Sequence, residues 1–115
     1  MPLLKLETSV KVPAEKKDKL ILSLSGILAQ VTGKPESYVM ITLSEAAVSM
    51  AGKIIPAAFA DVRGIGGLTQ KVNAGISKEL AALLKAELNI APENIYITFT
   101  DVAATNWGWK GGTFG

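Results

Sequence analysis

The residue best suited to acid–base chemistry near neutral pH is Pro2, which follows Met1 in the opening stretch MPLLKLE. While Met1 is attached, the Pro2 nitrogen is a tertiary amide and has no useful basicity. Removal of Met1 would turn that nitrogen into a secondary amine, and an α-amine has an unperturbed pKa of about 7.7–8.0. Pro2 is therefore either a general base or simply a proline that begins a strand.

The absence of histidine and cysteine narrows the choice of base. It excludes thiolate nucleophiles, disulfides, His-based triads and the usual Cys/His zinc sites. Proton transfer must then use Asp, Glu, Lys, Tyr or a terminal amine, and only the amine titrates close to neutrality without perturbation. The sequence therefore predicts no metal site of the Cys/His kind.

Three further features have a structural interpretation beside a functional one. Lys34, in TGKP, follows a predicted helix, where the helix dipole favours a cation. The glycines of RGIGG at 63–67 precede a second predicted helix and could cradle an anion. They lack the third glycine of a dinucleotide fingerprint, so a tight strand-to-helix turn is the better interpretation. Tyr96 could be an ordinary strand aromatic.

The segment NWGWKGGTFG carries Trp107, Trp109 and Phe114 among glycines, which disfavour a helix. Large aromatic side chains in such a segment either line a pocket or pack at an edge. The segment alone favours neither interpretation.

Hydrophobic periodicity predicts two helices that position these groups. The first begins at Pro13 and stops at Gly33, and the second ends at Asn89, ahead of Pro92. Their apolar stripes are Leu20, Leu24, Ile27, Leu28 and Val31 in the first helix, and Val72, Ile76, Leu80, Leu83, Leu84 and Leu88 in the second.

Four strand-like runs flank the helices, at 3–10, 38–44, 57–62 and 95–102. The second and fourth runs are introduced alike, by KPESYV and APENIY, which indicates a tandem repeat of a β-α-β unit. We therefore predict a single α+β domain over 1–115, in which two β-α-β units form a four-stranded sheet with both helices on one face.

The opposite face of this sheet also needs cover. In the second and fourth strands apolar side chains point both ways, as with Val39 against Met40 and Ile97 against Tyr96. Neither side is polar enough to face water throughout, so we expect the second face to pack against other subunits.

Charge and hydropathy exclude two classes of partner. The net charge is +2, and the one basic run, KKDK at 16–19, is most simply a solvated helix face, so nucleic-acid binding is not predicted. No apolar run is long enough for a membrane span, and Lys5 and Glu7 interrupt any signal-peptide core. We expect a cytoplasmic protein.

Taken together, PLLKLETSV, TGKPESYV, GIGG, ENIYITFTDVAATNWGW and TFG resemble the macrophage migration inhibitory factor family of the tautomerase superfamily. The resemblance covers essentially the whole chain. It implies a homotrimer in which three sheets wrap a central channel, with helices outside, active sites at subunit interfaces and no cofactor. Because members of that family are exported without a signal peptide, export by that route also stays open.

The resemblance also implies roles for individual residues. Pro2, once Met1 is gone, matches the catalytic base of a keto–enol tautomerase. Lys34 matches the lysine that binds the substrate carboxylate and helps keep the proline amine neutral. Ile65 matches a residue whose backbone amide contacts substrate, and Tyr96 would come from the adjacent subunit. The pocket would be completed by Tyr38, Thr98, Trp107, Trp109 and Phe114.

Departures from the family pattern bear on specificity. Thr98 stands where the mammalian cytokine has a pocket asparagine, so substrate preference could shift. Trp107 stands where it has a valine, which would change the shape of the pocket. The family's Cys-x-x-Cys motif falls on AAFA at 57–60, which excludes thiol–disulfide exchange there.

The resulting hypothesis is a phenylpyruvate-type tautomerase that acts on a small aromatic 2-keto acid. An amine buried beside Lys34 would have a lowered pKa, because desolvation and a like charge both disfavour protonation. Two alternatives stay open: a secreted, cytokine-like protein that binds a receptor and keeps vestigial tautomerase activity, and a structural or ligand-binding trimer.

Overall fold

A computed structural model describes all 115 residues. It contains two long helices, a four-stranded sheet and a small hairpin near the C-terminus. Neither helix combines the length and hydropathy needed to cross a membrane. The elements in chain order are β1 (Leu3–Thr8), α1 (Ala14–Thr32), β2 (Met40–Glu45), β3 (Ala58–Gly64), α2 (Gln70–Leu88), β4 (Ile95–Asp101), β5 (Gly108–Trp109) and β6 (Gly112–Thr113).

The sheet has the strand order β2-β1-β3-β4. β1 is parallel to β2 and β3 is parallel to β4, whereas β1 and β3 are antiparallel. Each parallel pair is joined through one of the helices, because parallel strands need a long crossover connection. The predicted α+β fold of two β-α-β units is thereby confirmed, and the trimer stays a prediction.

The repeat is also visible in the turns that precede the edge strands. A short 3₁₀ turn at Glu36–Tyr38 leads to β2, and an equivalent turn at Pro92–Asn94 leads to β4. These turns correct the predicted bounds, because β2 begins at Met40 rather than at residue 38. β1 ends at Thr8 rather than at residue 10, since the Thr8 hydroxyl accepts a hydrogen bond from the Val10 N–H (3.0 Å) and the chain turns there.

The helix ends follow their predicted signals, with one addition. Gly33 (φ 71°) and Asn89 (φ 53°) adopt the left-handed conformation that ends a helix. Pro13 lies at the N-cap of α1, one position before the first turn. Thr69 caps α2 by accepting a hydrogen bond from the Val72 N–H (3.2 Å), and the sequence analysis did not identify this cap.

The hydrophobic core lies between the two helices and one face of the sheet. Both predicted apolar stripes point into it, with Val31, Val72 and Leu83 half-buried at its margin, except that Ile27 is half-buried without packing against the core. Each large aliphatic side chain buried there contributes about 1.5–3 kcal/mol. Its fully buried members include Leu4, Leu6, Leu24, Leu28, Ala60, Val62, Ile76, Leu80 and Leu84.

The opposite face of the sheet is open in the single chain. Met40 and Tyr96 are 61% and 65% exposed there. The central strands add charged side chains to the same face, with Lys5 opposite Asp61 and Arg63 two residues further along. The face is therefore more polar than β2 and β4 alone indicated, and any subunit that covers it must match these charges.

Candidate active site

Pro2 lies at the entry to β1, at the corner where β1 and β2 begin. Its side chain is fully buried. Its carbonyl oxygen accepts a hydrogen bond from the Met40 N–H (3.1 Å), which extends the parallel pairing of β1 with β2 by one residue. With Met1 attached, the Pro2 nitrogen is an amide, so this geometry fixes the position of the nitrogen but gives it no basicity.

Two neighbouring cavities, of about 300 and 340 Å³, open at this corner. Met1, Tyr38 and Phe114 line both cavities and so lie between them. The first is completed by Lys34, Pro35, Ile65 and Ala104, and the second by Pro2, Leu3, Ser37, Val39, Met40, Trp107, Gly108 and Trp109.

Lys34 reaches from the end of α1 to the turn that precedes α2. Its Nζ donates hydrogen bonds to the carbonyl oxygens of Ile65 (2.5 Å) and Gly66 (3.0 Å). An ammonium has three donors, so beyond these two carbonyls one N–H remains, which would be open to a ligand in the first cavity once Met1 is removed. A Cβ at Gly67 would lie 3.1 Å from Lys34 Cε, and the φ of Gly67 is +78°, so glycine is needed at this position on both counts.

The RGIGG segment forms the predicted tight turn. Gly66 and Gly67 both have positive φ (68° and 78°), which glycine adopts without steric cost. The Gly66 N–H is already donated to the Asp101 carboxylate (2.7 Å), so it is not free to cradle an anion. The Ile65 N–H donates no hydrogen bond within the chain and belongs to a residue that lines the first cavity.

The electrostatics of the corner disfavour a protonated amine. Burial lowers the pKa of the Met1 α-amine, and the positive charge of Lys34 and a hydrogen bond with that side chain lower it further. An amine placed beside Lys34 is therefore neutral at a lower pH than a free α-amine.

Three aromatic rings form one cluster beside the two cavities. Trp109 and Phe114 stack with their centroids 5.2 Å apart, and Tyr38 meets both edge-on, at 5.6 and 6.2 Å. The β5–β6 hairpin presents Trp109 through a two-residue turn in which Lys110 and Gly111 both have positive φ. The pocket-wall interpretation of Trp109 and Phe114 therefore fits better than simple edge packing.

Trp107 is separate from this cluster. It is half-buried and lines both the second cavity and a third of about 250 Å³. Its carbonyl oxygen accepts a hydrogen bond from the Phe114 N–H (3.2 Å), which ties Trp107 to one member of the cluster through the backbone. The indole thus forms a wall between two cavities.

Tyr96 and Thr98 are the two predicted site residues that the single chain does not bring to these cavities. Both lie on β4 and belong to the open face of the sheet. The Thr98 hydroxyl donates to the Asp61 carboxylate (3.2 Å), which also accepts from Arg63 Nε (3.2 Å). Tyr96 and Thr98 could therefore take part in such a site only at the cavities of a neighbouring subunit.

The structure also identifies residues that the sequence analysis did not single out. Pro35 and Ala104 line the first cavity and Met40 lines the second, and their types carry no chemical signal. Asp101 holds the turn under Lys34 by accepting a hydrogen bond from the Gly66 N–H. Its position at the end of β4 does not predict that contact. No group of three or more acidic side chains is arranged to hold a metal ion.

Comparisons with known proteins agree over the full length. A family model described as Macrophage migration inhibitory factor (MIF) matches residues 1–115. Among curated relatives, macrophage migration inhibitory factor of Meriones unguiculatus is 35% identical over 118 residues, and the match covers 99% of each chain. The protein of the same name from Rattus norvegicus is 33% identical over 115 residues, again with 99% of each chain covered.

Solved structures extend the similarity to the fold. The macrophage migration inhibitory factor homologue from Prochlorococcus marinus has a TM-score of 0.93 and 35% identity, with 98% of this chain and 99% of that chain covered. The macrophage migration inhibitory factor-like protein from Entamoeba histolytica has a TM-score of 0.94 and 33% identity, with 98% of each chain covered. The elements that line the two cavities therefore lie within the shared fold.

Proposed function

Because this chain belongs to the macrophage migration inhibitory factor family of the tautomerase superfamily, we propose that it is a cofactor-independent keto–enol tautomerase whose catalytic base is the Pro2 amine after removal of Met1. The proposed substrate is a small aromatic 2-keto acid of the phenylpyruvate type. The observation that carries the proposal is the Lys34 ammonium, which two carbonyls hold at the wall of a cavity shared with Met1 and bounded by aromatic rings.

The proposed reaction moves one proton between carbon and oxygen. In the direction from ketone to enol, the Pro2 nitrogen removes a proton from the carbon next to the ketone. The C–H electron pair becomes the new C=C bond and the C=O π pair moves onto the ketone oxygen. That oxygen takes up a proton from water, and the Pro2 ammonium returns its own proton to water, so the base is regenerated. Lys34 binds the carboxylate through its remaining N–H, and the aromatic cluster of Tyr38, Trp109 and Phe114 contacts the substrate ring.

The base has to be neutral at working pH. We propose that the Pro2 amine experiences the same two effects that lower the pKa of the Met1 amine, namely burial and the charge of Lys34. The buried proline ring also holds the nitrogen lone pair in one direction, so little conformational freedom is lost when substrate binds.

Removal of Met1 would change the cavities as well as the amine. The Met1 residue lines both of them, so its loss would join them around Pro2. The joined cavity would have Lys34 at one end and the aromatic wall at the other, an arrangement that suits a carboxylate and an aromatic ring separated by a short chain.

The direct test is an assay on Met1-free protein, with the N-terminus verified by intact mass. The enol of phenylpyruvate is expected to disappear with saturable kinetics, followed by its ultraviolet absorbance. Pyruvate has the same 2-keto acid group but no ring for the aromatic cluster. Its enzyme-catalysed exchange of methyl protons with solvent deuterium should be much slower than the exchange of the phenylpyruvate methylene protons. A phenylpyruvate rate no higher than that of buffer would refute the proposed activity.

We further propose that the chain assembles as a homotrimer with the active sites at subunit interfaces. Two features support this. Tyr96 and Thr98 line none of the cavities in their own chain, and β2 and β4 leave their outer backbone edges unpaired. In the trimer these two side chains would reach the cavities of a neighbouring subunit.

Sedimentation equilibrium at micromolar concentration is expected to give a mass three times the 12.1 kDa of the chain. Met1-retaining subunits and subunits of a Met1-free Tyr96→Ala variant are each expected to form trimers of low activity. Mixing them so that subunits exchange is expected to restore activity, because some interfaces then combine an intact Tyr96 from one subunit with a free Pro2 from the other. A stable monomer at that concentration would contradict the proposed interface.

A further inference from the structure

We infer that Asp101 is a positioning residue for the substrate carboxylate, because it fixes the peptide group between Ile65 and Gly66, which provides one of the two carbonyls that hold Lys34. The inference rests on the proposed role of Lys34 in the tautomerase. Asp101 is the last residue of β4 and is paired with Gly64 at the end of β3, directly before the turn.

The peptide group between Ile65 and Gly66 has hydrogen bonds on both sides. Its N–H is donated to Asp101 Oδ1 (2.7 Å), and its carbonyl oxygen accepts from Lys34 Nζ (2.5 Å). The N–H and C=O of a trans peptide lie in one plane and point in opposite directions. Asp101 therefore determines the direction in which the Ile65 carbonyl faces, and through it the position of the lysine ammonium.

Little else restrains this peptide plane. Gly66 and Gly67 follow it, and both are glycines in the left-handed region that rotate at low steric cost. The Val102 N–H donates to the Gly64 carbonyl (2.8 Å), which ties β4 to the start of the turn but does not engage the Ile65–Gly66 peptide. A negative carboxylate on one side and an ammonium on the other also polarise the peptide between them, which strengthens both hydrogen bonds.

The Asp101 carboxylate has no other partner that competes with this role. The chain's one ion pair joins Arg63 and Asp61, so Asp101 has no cation of its own. Since Asp101 is exposed, the hydrogen bond contributes modestly to folding, and its main effect is on the orientation of the turn.

The experiment compares Asp101→Ala with Asp101→Asn in Met1-free protein. Asparagine keeps an oxygen acceptor at the same reach, whereas alanine removes it. Asp18→Ala, an exposed aspartate on α1 with no hydrogen bond of its own, is the matched control. Asp101→Ala is expected to raise KM for phenylpyruvate about tenfold with kcat within about threefold, because carboxylate binding is weakened in the ground state and the transition state alike. Asp101→Asn and Asp18→Ala should stay near the wild-type KM.

Amide hydrogen exchange at Gly66, measured by NMR, provides a readout that does not depend on activity. Asp101→Ala is expected to accelerate exchange at Gly66 about tenfold, and Asp101→Asn should restore most of the protection. Unchanged exchange at Gly66, or faster exchange with an unchanged KM, would overturn the positioning role. If Asp101→Ala folds poorly, Asp101→Ser, whose hydroxyl is too short to reach the Gly66 N–H, is held to the same criteria.

The failure of the proposed function is distinguishable from the failure of this inference. If Met1-free wild type shows no tautomerase activity, the proposed function is wrong, and binding of the unreactive aryl carboxylate 3-phenylpropionate then decides the role of Asp101. Wild-type binding that weakens about tenfold in Asp101→Ala and recovers in Asp101→Asn supports the inference. Equal affinities in all variants, or no binding to wild type, overturns it.

Discussion

The protein that retains Met1 is expected to convert phenylpyruvate enol about 10²- to 10⁴-fold more slowly than the protein from which Met1 has been removed. This is the usual contribution of a positioned general acid or base. The amide nitrogen of an internal Pro2 cannot accept the proton, and Met1 also occupies the space between the two cavities. The measurement is kcat/KM for both forms, separated and identified by intact mass.

Pro2→Gly in Met1-free protein tests whether the proline ring, which orients the nitrogen, contributes to catalysis. Glycine still presents an α-amine, but without the ring that is buried at the start of β1. We expect kcat/KM to fall at least about tenfold, to a value between those of the two wild-type forms, because the amine remains but is no longer held in one direction. Equal activity in Pro2→Gly would show that the ring does not orient the base, and full activity in the Met1-retaining chain would rule out the catalytic role of the Pro2 nitrogen.

The fold could be predicted from the sequence because most of the apolar residues in the helices are needed to cover one face of the sheet. Leu20, Leu24 and Leu28 in α1, and their counterparts in α2, are buried against the same sheet face, so their spacing reports both helices directly. Strand bounds were less accurate at the ends. Residue 38 looks like the start of a strand, but the turn at Glu36–Tyr38 keeps it out of β2, and periodicity does not register so short a turn.

The candidate site was predictable only in part. The structure places Lys34, Ile65 and the aromatic rings around two adjoining cavities. From the sequence alone, a purely structural role (a helix-end cation, a tight turn or edge packing) explained these segments at least as well. The partners of Lys34 are backbone carbonyls whose direction depends on the positive φ of Gly66 and Gly67 and on Asp101, which is distant in the chain. A sequence pattern carries no information about the direction of a particular carbonyl.

Lys34→Ala is expected to lower kcat/KM for phenylpyruvate by roughly 10- to 100-fold, which corresponds to the loss of about 1.5–3 kcal/mol for a hydrogen bond to a charged group. In the proposed mechanism the lysine holds the carboxylate before and during the reaction, so most of the loss should appear in KM. Lys53→Ala, in the loop between β2 and β3 and away from the cavities, is the matched control and should leave both constants unchanged.

The pH profile of the same variant tests whether Lys34 also tunes the base. In the proposed mechanism the Pro2 amine is active when neutral, so kcat/KM is expected to fall as the pH drops through the amine's pKa. The charge of Lys34 disfavours a second positive charge beside it, and its removal should raise that pKa and move the acidic limb to higher pH. Lys34→Arg keeps the charge and should leave the limb in place, although its planar guanidinium cannot reproduce the contacts with both turn carbonyls, so KM should still rise. A limb that stays fixed in Lys34→Ala, or moves to lower pH, would show that Lys34 acts on the substrate alone and that burial is what keeps the amine neutral.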